Sequence, residues 1–585
     1  MKKRSCKLKE AVDDGPFLTK EEFHKQLNLL EINRLKALEK IEVNQSDVDP
    51  ESINVPDILK FLRDDKKTLY ECLFVDRNFC QLTIPLLWSR PFEKENMKKS
   101  YIIINTLVSC LKEKEKQQLM KEFNDSIEIK IALFDYASYI KGFDYQNFEY
   151  AIKKWTESYF NYFVQPFNIH IFIFQLMGDL IFTRTKNFKM LNLSHDKYHD
   201  EEEKSFEYNI FQKILTFNNI KKVLINLEKL ELKYFSWGHD IDGSLGDKIS
   251  NFFIELSKYS NNIQDLIIDI FFDSTNTSKV SKSLAKLIES QKNLYSLQVT
   301  EYIDYSFINS IQSQANSLKF LRIIELSNFH SLLPILYHCV KLKTLELTEY
   351  FEVEDLCELY NSHISLPPIH IENLLAYQIE MERNIQNFED AMAILINLSK
   401  HKLESLTMEF VTCRTISFLK LSCPINLTYL SLKISTFGLI KLYEIISLLK
   451  LLKTLIIIES GRYEDPLSPE SSNKINQLIK LAISIPISLT RLGISFLVDL
   501  TGYEMFYKEF SVPIQELDIY ISLDDDHLKG IISYAEKNRN LKRVGIMRFN
   551  HSCLDGHISN DLYLKAKSLI PIIGETKKIK HFVNR

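Results

Sequence analysis

One spacing recurs so often along this chain that it dictates the architecture: L-x-x-L-x-L, with Leu, Ile, Val, Phe or Met at the apolar positions. It starts at Phe188-x-x-Leu191-x-Leu193 and Leu227-x-x-Leu230-x-Leu232 and returns at Ile263, Leu294, Leu318 and Leu342. Further copies begin at Leu403, Leu427, Leu452, Leu489, Ile514 and Leu541, and a weaker copy, Ile371-x-x-Leu374-x-Ala376, fills the longest gap. Several successive copies start 24 to 27 residues apart (294, 318, 342; 403, 427, 452; 489, 514, 541), a period typical of stacked repeats. The alternation at the end of each copy is that of a strand with one buried face. Between copies lie stretches that read as helices, at 281–290, 437–450, 472–484 and 526–537. A strand plus a helix cannot bury its apolar face alone, so the units must stack into a continuous core.

The repeats resemble the leucine-rich-repeat family over residues 187–572. The resemblance implies an α/β solenoid, an irregular horseshoe, in which the Leu side chains face the core and the intervening positions line a concave sheet. The asparagine or cysteine that the family places after the last apolar position is mostly missing, so no asparagine ladder is expected. The third motif position reads Lys229, Asp265, Ser296, Phe320, Thr344, Ser405, Tyr429, Thr454, Arg491, Glu516 and Arg543. The fifth reads Glu231, Ile267, Gln298, Arg322, Glu346, Thr407, Ser431, Ile456, Gly493, Asp518 and Gly545. A mixed face with aromatic and arginine anchors suits a protein partner. Phe320, Arg322, Tyr429, Arg491 and Arg543 are the candidate contacts with a target protein; a solvated face with no hot spot is the alternative.

Ahead of the repeats, residues 53–92 break into short amphipathic segments. Pro56 suits a first helical turn, and Ile58, Leu59, Phe61 and Leu62 supply its apolar face. Leu69, Cys72, Leu73 and Val75 follow at helical spacing, then Asn78, Phe79, Leu82, Leu86, Leu87 and Trp88. This order resembles the F-box, with Val75-Asp76-Arg77-Asn78-Phe79 at the family's valine-to-tryptophan stretch and Leu87-Trp88 at its closing Leu-Trp. The wording of 68–92, and of 107–119 and 133–140 beyond it, is similar to an expanded family of fungal F-box proteins with irregular repeats. Phe79 stands where the family has tryptophan, and Val55-Pro56 where it opens with Leu-Pro. The resemblance implies a Skp1-like adaptor, and through it a cullin, bound by Val55, Pro56, Leu59, Leu69, Leu73, Val75, Asn78, Phe79 and Trp88. A plain helical cap on the first repeat is the alternative. The expected organisation is an N-terminal helix and basic tail (1–50), an F-box-like segment (51–93), a helical linker or cap (94–186), the repeats (187–572) and a basic C-terminal tail (573–585). Thr19-Lys20-Glu21-Glu22 reads as a capping box opening the first of these helices.

Composition narrows the function classes. With 73 basic and 77 acidic side chains the net charge is −4, and that near-balance predicts no broad footprint for nucleic acid or for an anionic membrane. Only 14 glycines are present, and neither GxGxxG nor GxxxxGK[ST] occurs. The nine cysteines are scattered and never spaced CxxC, which argues against a disulfide framework, a zinc site or a RING-type ligase. The apolar stretch 169–182 is short and carries His170, Gln175 and Asp179, so a buried helix is expected there. Asp524-Asp525-Asp526-His527 is the most metal-like cluster, but it precedes a helix, where carboxylates serve as caps. His195 and His199 beside Asp200–Glu203 read as a solvated loop. No GxSxG or HExxH motif occurs. The expectation is a chain with no catalytic residue, metal or cofactor, located in cytosol or nucleus: a substrate receptor of a cullin-type ubiquitin ligase, or a repeat scaffold with no ubiquitin link.

Overall fold

The computed structural model describes residues 59, 62–63, 65–93, 100–123, 129–159, 167–194, 210–235, 244–271, 277–300, 305–326, 329–349, 367–377, 385–460, 469–496, 500–520, 525–546 and 559–575. The N-terminal segment 1–50 with its expected helix, the residues Val55 and Pro56, the stretch 195–203 and residues 576–585 of the C-terminal tail lie outside these. The chain divides into two compact units, one up to Phe188 with Phe217–Asn219, the other Lys189–Thr216 with Ile220–Arg585.

The first unit is mainly helical. Its helices Lys66–Cys72, Arg77–Leu87 and Tyr145–Glu157 each open on an aspartate whose carboxylate accepts a backbone N–H one turn on. Asp65 accepts from Thr68 N at 3.0 Å, Asp76 from Phe79 N at 2.8 Å and Asp144 from Asn147 N at 2.9 Å. Aromatic rings fill the interior. Phe148 packs on Phe92 at 5.1 Å, Phe143 at 4.8 Å and Phe174 at 5.1 Å between centroids. Phe217 closes the cluster against Phe174 at 5.5 Å and Phe182 at 5.2 Å. Gly178 lies where the Phe217 ring leaves no room for a Cβ. The apolar stretch expected to be a buried helix forms Phe167–Arg184, with Ile173, Phe174, Met177, Ile181 and Phe182 inside. Among the described residues no helix is long and apolar enough to cross a membrane.

The second unit is an α/β solenoid. Its parallel strands run in chain order from Met190–Asn192 to Ile572–Glu575, each hydrogen-bonded to the next repeat. Every copy of the motif forms a strand in its expected place, and the weak copy at Ile371 forms Asn373–Tyr377, between Thr344–Glu349 and Ser405–Val411. The last strand carries the sheet to Glu575, past the boundary expected at 572. The apolar triplets are fully buried, for example Leu227, Leu230 and Leu232, or Leu452, Leu455 and Ile457. At about 1.5–3 kcal/mol per buried side chain, these triplets are the main stabilising term of each repeat. The expected helices form as Thr277–Glu289, Thr436–Ile446, Pro469–Ser484 and Asp525–Lys537.

Buried glutamines stand in for the missing asparagine ladder. Gln291 accepts from Ile263 N at 3.0 Å and donates to Ser260 O at 2.9 Å, linking its repeat to the preceding one. Gln314 does the same one repeat on, accepting from Leu294 N at 3.2 Å and donating to Ile288 O and Gln291 O, each at 2.9 Å. Further along, the hydroxyl of Tyr534 takes over, accepting from Ile514 N at 3.2 Å and donating to Val512 O. Each such group satisfies backbone atoms that the turn into the strand leaves without a ladder partner. Gln314→Leu is expected to lower unfolding free energy by about 1–3 kcal/mol, read from the midpoint of denaturant unfolding. An unchanged midpoint would show that the amide bridges are dispensable.

Candidate functional site

Two surfaces carry the sequence-derived candidates, one in each unit. In the first unit, Leu59, Leu69 and Cys72 form a buried cluster, with Leu62, Phe79, Leu86 and Leu87 packed against it. Burial pushes the Cys72 thiol up to about 11. Leu59 and Leu69, expected as adaptor contacts, are therefore interior residues that hold the short helices together, and Phe79 shares that work. Trp88 lies against the Tyr136 ring at 4.6 Å, and the Ser89 carbonyl accepts from Lys141 N at 2.8 Å and Gly142 N at 3.0 Å. Leu73 and Val75 are half-buried and Asn78 is exposed.

The side chains these helices turn to solvent are others. Tyr70 is 58% exposed, Phe74 57% and Leu82 38%, and the Tyr70 and Phe74 rings meet edge to face at 5.4 Å. They stand one helical turn apart, on the side of Lys66–Cys72 opposite Leu69 and Cys72. Sequence reading passed over them because it sought one apolar face, whereas residues 68–74 carry two. Tyr70 and Phe74 at i, i+4 were the available signal.

In the second unit the parallel register puts the third motif positions in one row across the sheet: Phe320, Thr344, Asn373, Ser405, Tyr429, Thr454, Arg491, Glu516 and Arg543. Arg322 lies in the next row, opposite Gln298 and Glu346. The row is real, but its members do not form one patch. Phe320 and Tyr429 are four strand steps apart, about 19 Å at normal strand spacing.

Toward the C-terminal end two groups form. The first is apolar: Ile456 and Tyr520 are buried together, with Tyr429 and Ile458 packed on them. Gly493 permits this, because a Cβ there would meet the Tyr520 ring at 3.0 Å and Ile456 at 3.2 Å. Burial raises the Tyr429 and Tyr520 phenols above their ordinary range, so both stay neutral donors. The second is ionic. Asp518 is fully buried and accepts from Arg491 Nη2 at 2.7 Å and Arg543 Nη1 at 2.8 Å. Glu516 lies 3.8 Å from Arg491 and 3.6 Å from Arg543. These arginines, expected to reach a target, are committed to an internal carboxylate. Arg322 is similarly engaged, its Nε 3.1 Å from Glu346 Oε1.

The fifth row was read as accessible surface, and from Glu346 onward that reading fails. Glu346, Thr407, Ser431, Ile456 and Asp518 are buried. Around Ile456 and Gly493 the large side chains Tyr429 and Tyr520 pack beside these fifth-position residues. Nearer the start of the sheet the face is more open and polar. Lys229 reaches Asp265 at 3.2 Å, and Lys233 reaches Glu231 at 2.8 Å. Burial alone would raise Glu231, but Lys233 and Lys229 overcome it and hold the carboxyl below the usual range.

Of the acidic cluster before 527, Asp524 lies outside the described residues, and Asp525 is built into the fold. Asp525 opens its helix and accepts from Ser559 N at 2.7 Å, and His527 stacks edge-on against Tyr503 at 4.7 Å. Among the described residues no group of three His, Cys, Asp or Glu converges as metal ligands would.

No family model matches the sequence, and no curated protein matches it. Among solved structures, the Rad7 and Elc1 complex from yeast contains a chain with 16% identity and a TM-score of 0.33, covering 61% of this chain and 92% of that one. The leucine-rich repeat-containing protein LegL7 from Legionella pneumophila shows 13% identity and a TM-score of 0.26, covering 67% of this chain and 93% of that one. Similarity this low carries no functional inference.

Asp518→Ala leaves two arginines facing each other without their carboxylate, and is expected to destabilise by about 3–5 kcal/mol. Replacing Arg491, Asp518 and Arg543 together by apolar residues is expected to recover much of that loss. Thermal unfolding of both variants measures it, and an Asp518→Ala protein as stable as the parent would show that the pair carries no net interaction.

Proposed function

We propose that the chain is a target-binding adaptor of a Skp1–cullin–F-box type ubiquitin ligase. In this reading the helices around 59–93 dock a Skp1-like adaptor, and through it a cullin, while the sheet of the second unit holds a target protein. No residue of this chain performs acyl transfer. Its contribution is proximity, since tethering raises the effective concentration of the target's lysines near ubiquitin activated elsewhere. The observation that carries the reading is the aromatic pair Tyr70 and Phe74 with Leu82, left in water on the very helices that resemble the F-box. A cap needs its apolar side chains turned inward, and Leu59, Leu69 and Cys72 already meet that need. A second, outward set suits an aromatic anchor in a partner's pocket.

On the target side, Tyr429, Ile458 and Tyr520 form the apolar platform, Arg491 borders it, and Phe320 with Arg322 forms a separate contact further along the row. Arg543 supports Arg491 through Asp518.

Phe74→Asp and Leu82→Asp, made in the full chain, are expected to weaken retention of a Skp1 homologue at least about tenfold. Circular dichroism should stay unchanged; melting should match the parent's for Phe74→Asp, at a side chain 57% exposed, and fall slightly for Leu82→Asp, at one 38% exposed. Undiminished retention, or no retention by the parent chain, rejects the adaptor reading and leaves a scaffold with no ubiquitin link.

A further inference from the structure

The register that aligns the motif rows also aligns the turns entering the strands. The four residues before each strand from Lys229 to Ile572 fall on one rim of the second unit. In these segments stand nine lysines and arginines against three glutamates, a surplus of six positive charges in a chain whose net charge is −4. Lys292, Lys319, Lys341, Lys402, Lys450 and Lys453 are all exposed. The near-balance of the whole chain thus conceals a segregated cationic edge.

The middle of this rim is also apolar. Ahead of the neighbouring strands Tyr429–Ser435, Thr454–Ser460 and Arg491–Ser495, which pair as Tyr429↔Thr454↔Arg491, three pairs of aliphatic side chains face solvent. Leu421 is 78% exposed and Ile425 61%, Leu448 42% and Leu451 53%, Ile483 64% and Ile487 84%. The helices Cys413–Ser422, Thr436–Ile446 and Pro469–Ser484 end at this same rim. Their carbonyl ends favour nearby cations, which accounts for some of the lysines. It does not account for six bare aliphatic side chains, since the solenoid core gains nothing from them.

We propose that this rim docks on the surface of an anionic lipid bilayer, with the Leu and Ile side chains entering the headgroup layer and the lysines meeting lipid phosphates and carboxylates. Lysine flanking aliphatic side chains is the composition of an interfacial site. A nucleic-acid track would pair its cations with aromatic rings or arginine forks along its length. One such pairing occurs, Lys319 over the exposed Tyr295 ring at 5.0 Å, but in the middle of the rim the exposed apolar groups are aliphatic and the cations of the rim are almost all lysine. The site is peripheral and spans nothing. It is independent of the adaptor reading, because it lies in the other unit and uses none of the same residues.

Full-length protein is sedimented with vesicles of phosphatidylcholine containing about 30% phosphatidylserine, and with vesicles of phosphatidylcholine alone. The proposal requires binding to the anionic vesicles only, weakening as salt rises. Lys450→Glu with Lys453→Glu is expected to reduce apparent affinity at least about tenfold. Leu451→Ser with Ile487→Ser is expected to reduce it with a lesser change in salt dependence. All four side chains are exposed, so melting curves should match the parent's, and the salt dependence of the parent chain tests the idea without any variant. Failure to sediment, equal binding to neutral vesicles, or undiminished binding by both variants overturns it. So does retention of duplex DNA or single-stranded RNA that is lost in the lysine variant, with no vesicle binding, which would assign the rim to a phosphate polymer.

Discussion

The apolar triplet of each L-x-x-L-x-L and the parallel ladder between repeats are a single constraint. Three side chains leave water only if the next repeat presents its own three at the same height, and a slip of one residue would turn all of them to the opposite face. The ladder therefore holds Tyr429 opposite Thr454 and Thr454 opposite Arg491 without any contact between those side chains that demands it. Everything functional in the second unit inherits this register. The rows on the open face, the rim of incoming turns and the heights of Gly493 and Tyr520 are positions in a lattice that the buried triplets set.

A lattice this regular leaves polar groups stranded, and the chain meets each case locally. Gln291 and Gln314 bridge consecutive turns where the family would place an asparagine further along the motif. Lys474 and Glu459 form a buried ion pair at 2.7 Å between a helix and the end of its preceding strand. Thr412 and Thr415 both donate to Glu389, while Arg414 reaches Asp390 at 2.7 Å, joining two neighbouring helix starts. A uniform ladder would make every interface alike. Here the fastening changes along the stack, from glutamine amides to ion pairs and a tyrosine hydroxyl, which ties these repeats' places to their own sequences.

What could be read from the sequence follows from the same physics. Strands were legible because their spacing is repeated and strictly tied to burial; even Ile371-x-x-Leu374-x-Ala376, with alanine at its last apolar position, found its place. Helix stretches were legible from periodicity, 526–537 and 437–450 to within a residue at their N-terminal end, 281–290 and 472–484 starting three or four residues late. The open face was not, because whether Ser431 or Asp518 is accessible depends on the size of neighbours on adjacent strands, which lie some 25 residues away in the chain. Gln291 and Gln314 sit outside the motif, so nothing in the spacing marked them. In the first unit the error had another origin. The family resemblance assigned Leu59 and Leu69 to a partner, but both are buried with Cys72, and Phe79, Leu86 and Leu87 of the next helix pack against that cluster.

The contrast between inward and outward apolar groups gives the two units a common logic. A short helix pair that keeps Leu69 and Cys72 inside while leaving Tyr70 and Phe74 in water bears an exposure that folding alone does not require. The same is true of Ile425, Leu451 and Ile487 on the rim, where the triplet beginning one or two residues later is already buried at Leu427, Leu452 and Leu489. In both places the neighbouring residue closes the core, so the exposed one is free to vary. Polar substitution there would ease solubility at no loss of packing, and the chain nevertheless keeps aromatic or aliphatic side chains. Such groups are the ones that the adaptor and bilayer proposals put to use. The difference in their surroundings, edge-to-face rings on the helix pair and lysines on the rim, separates a surface suited to a protein pocket from one suited to a charged interface.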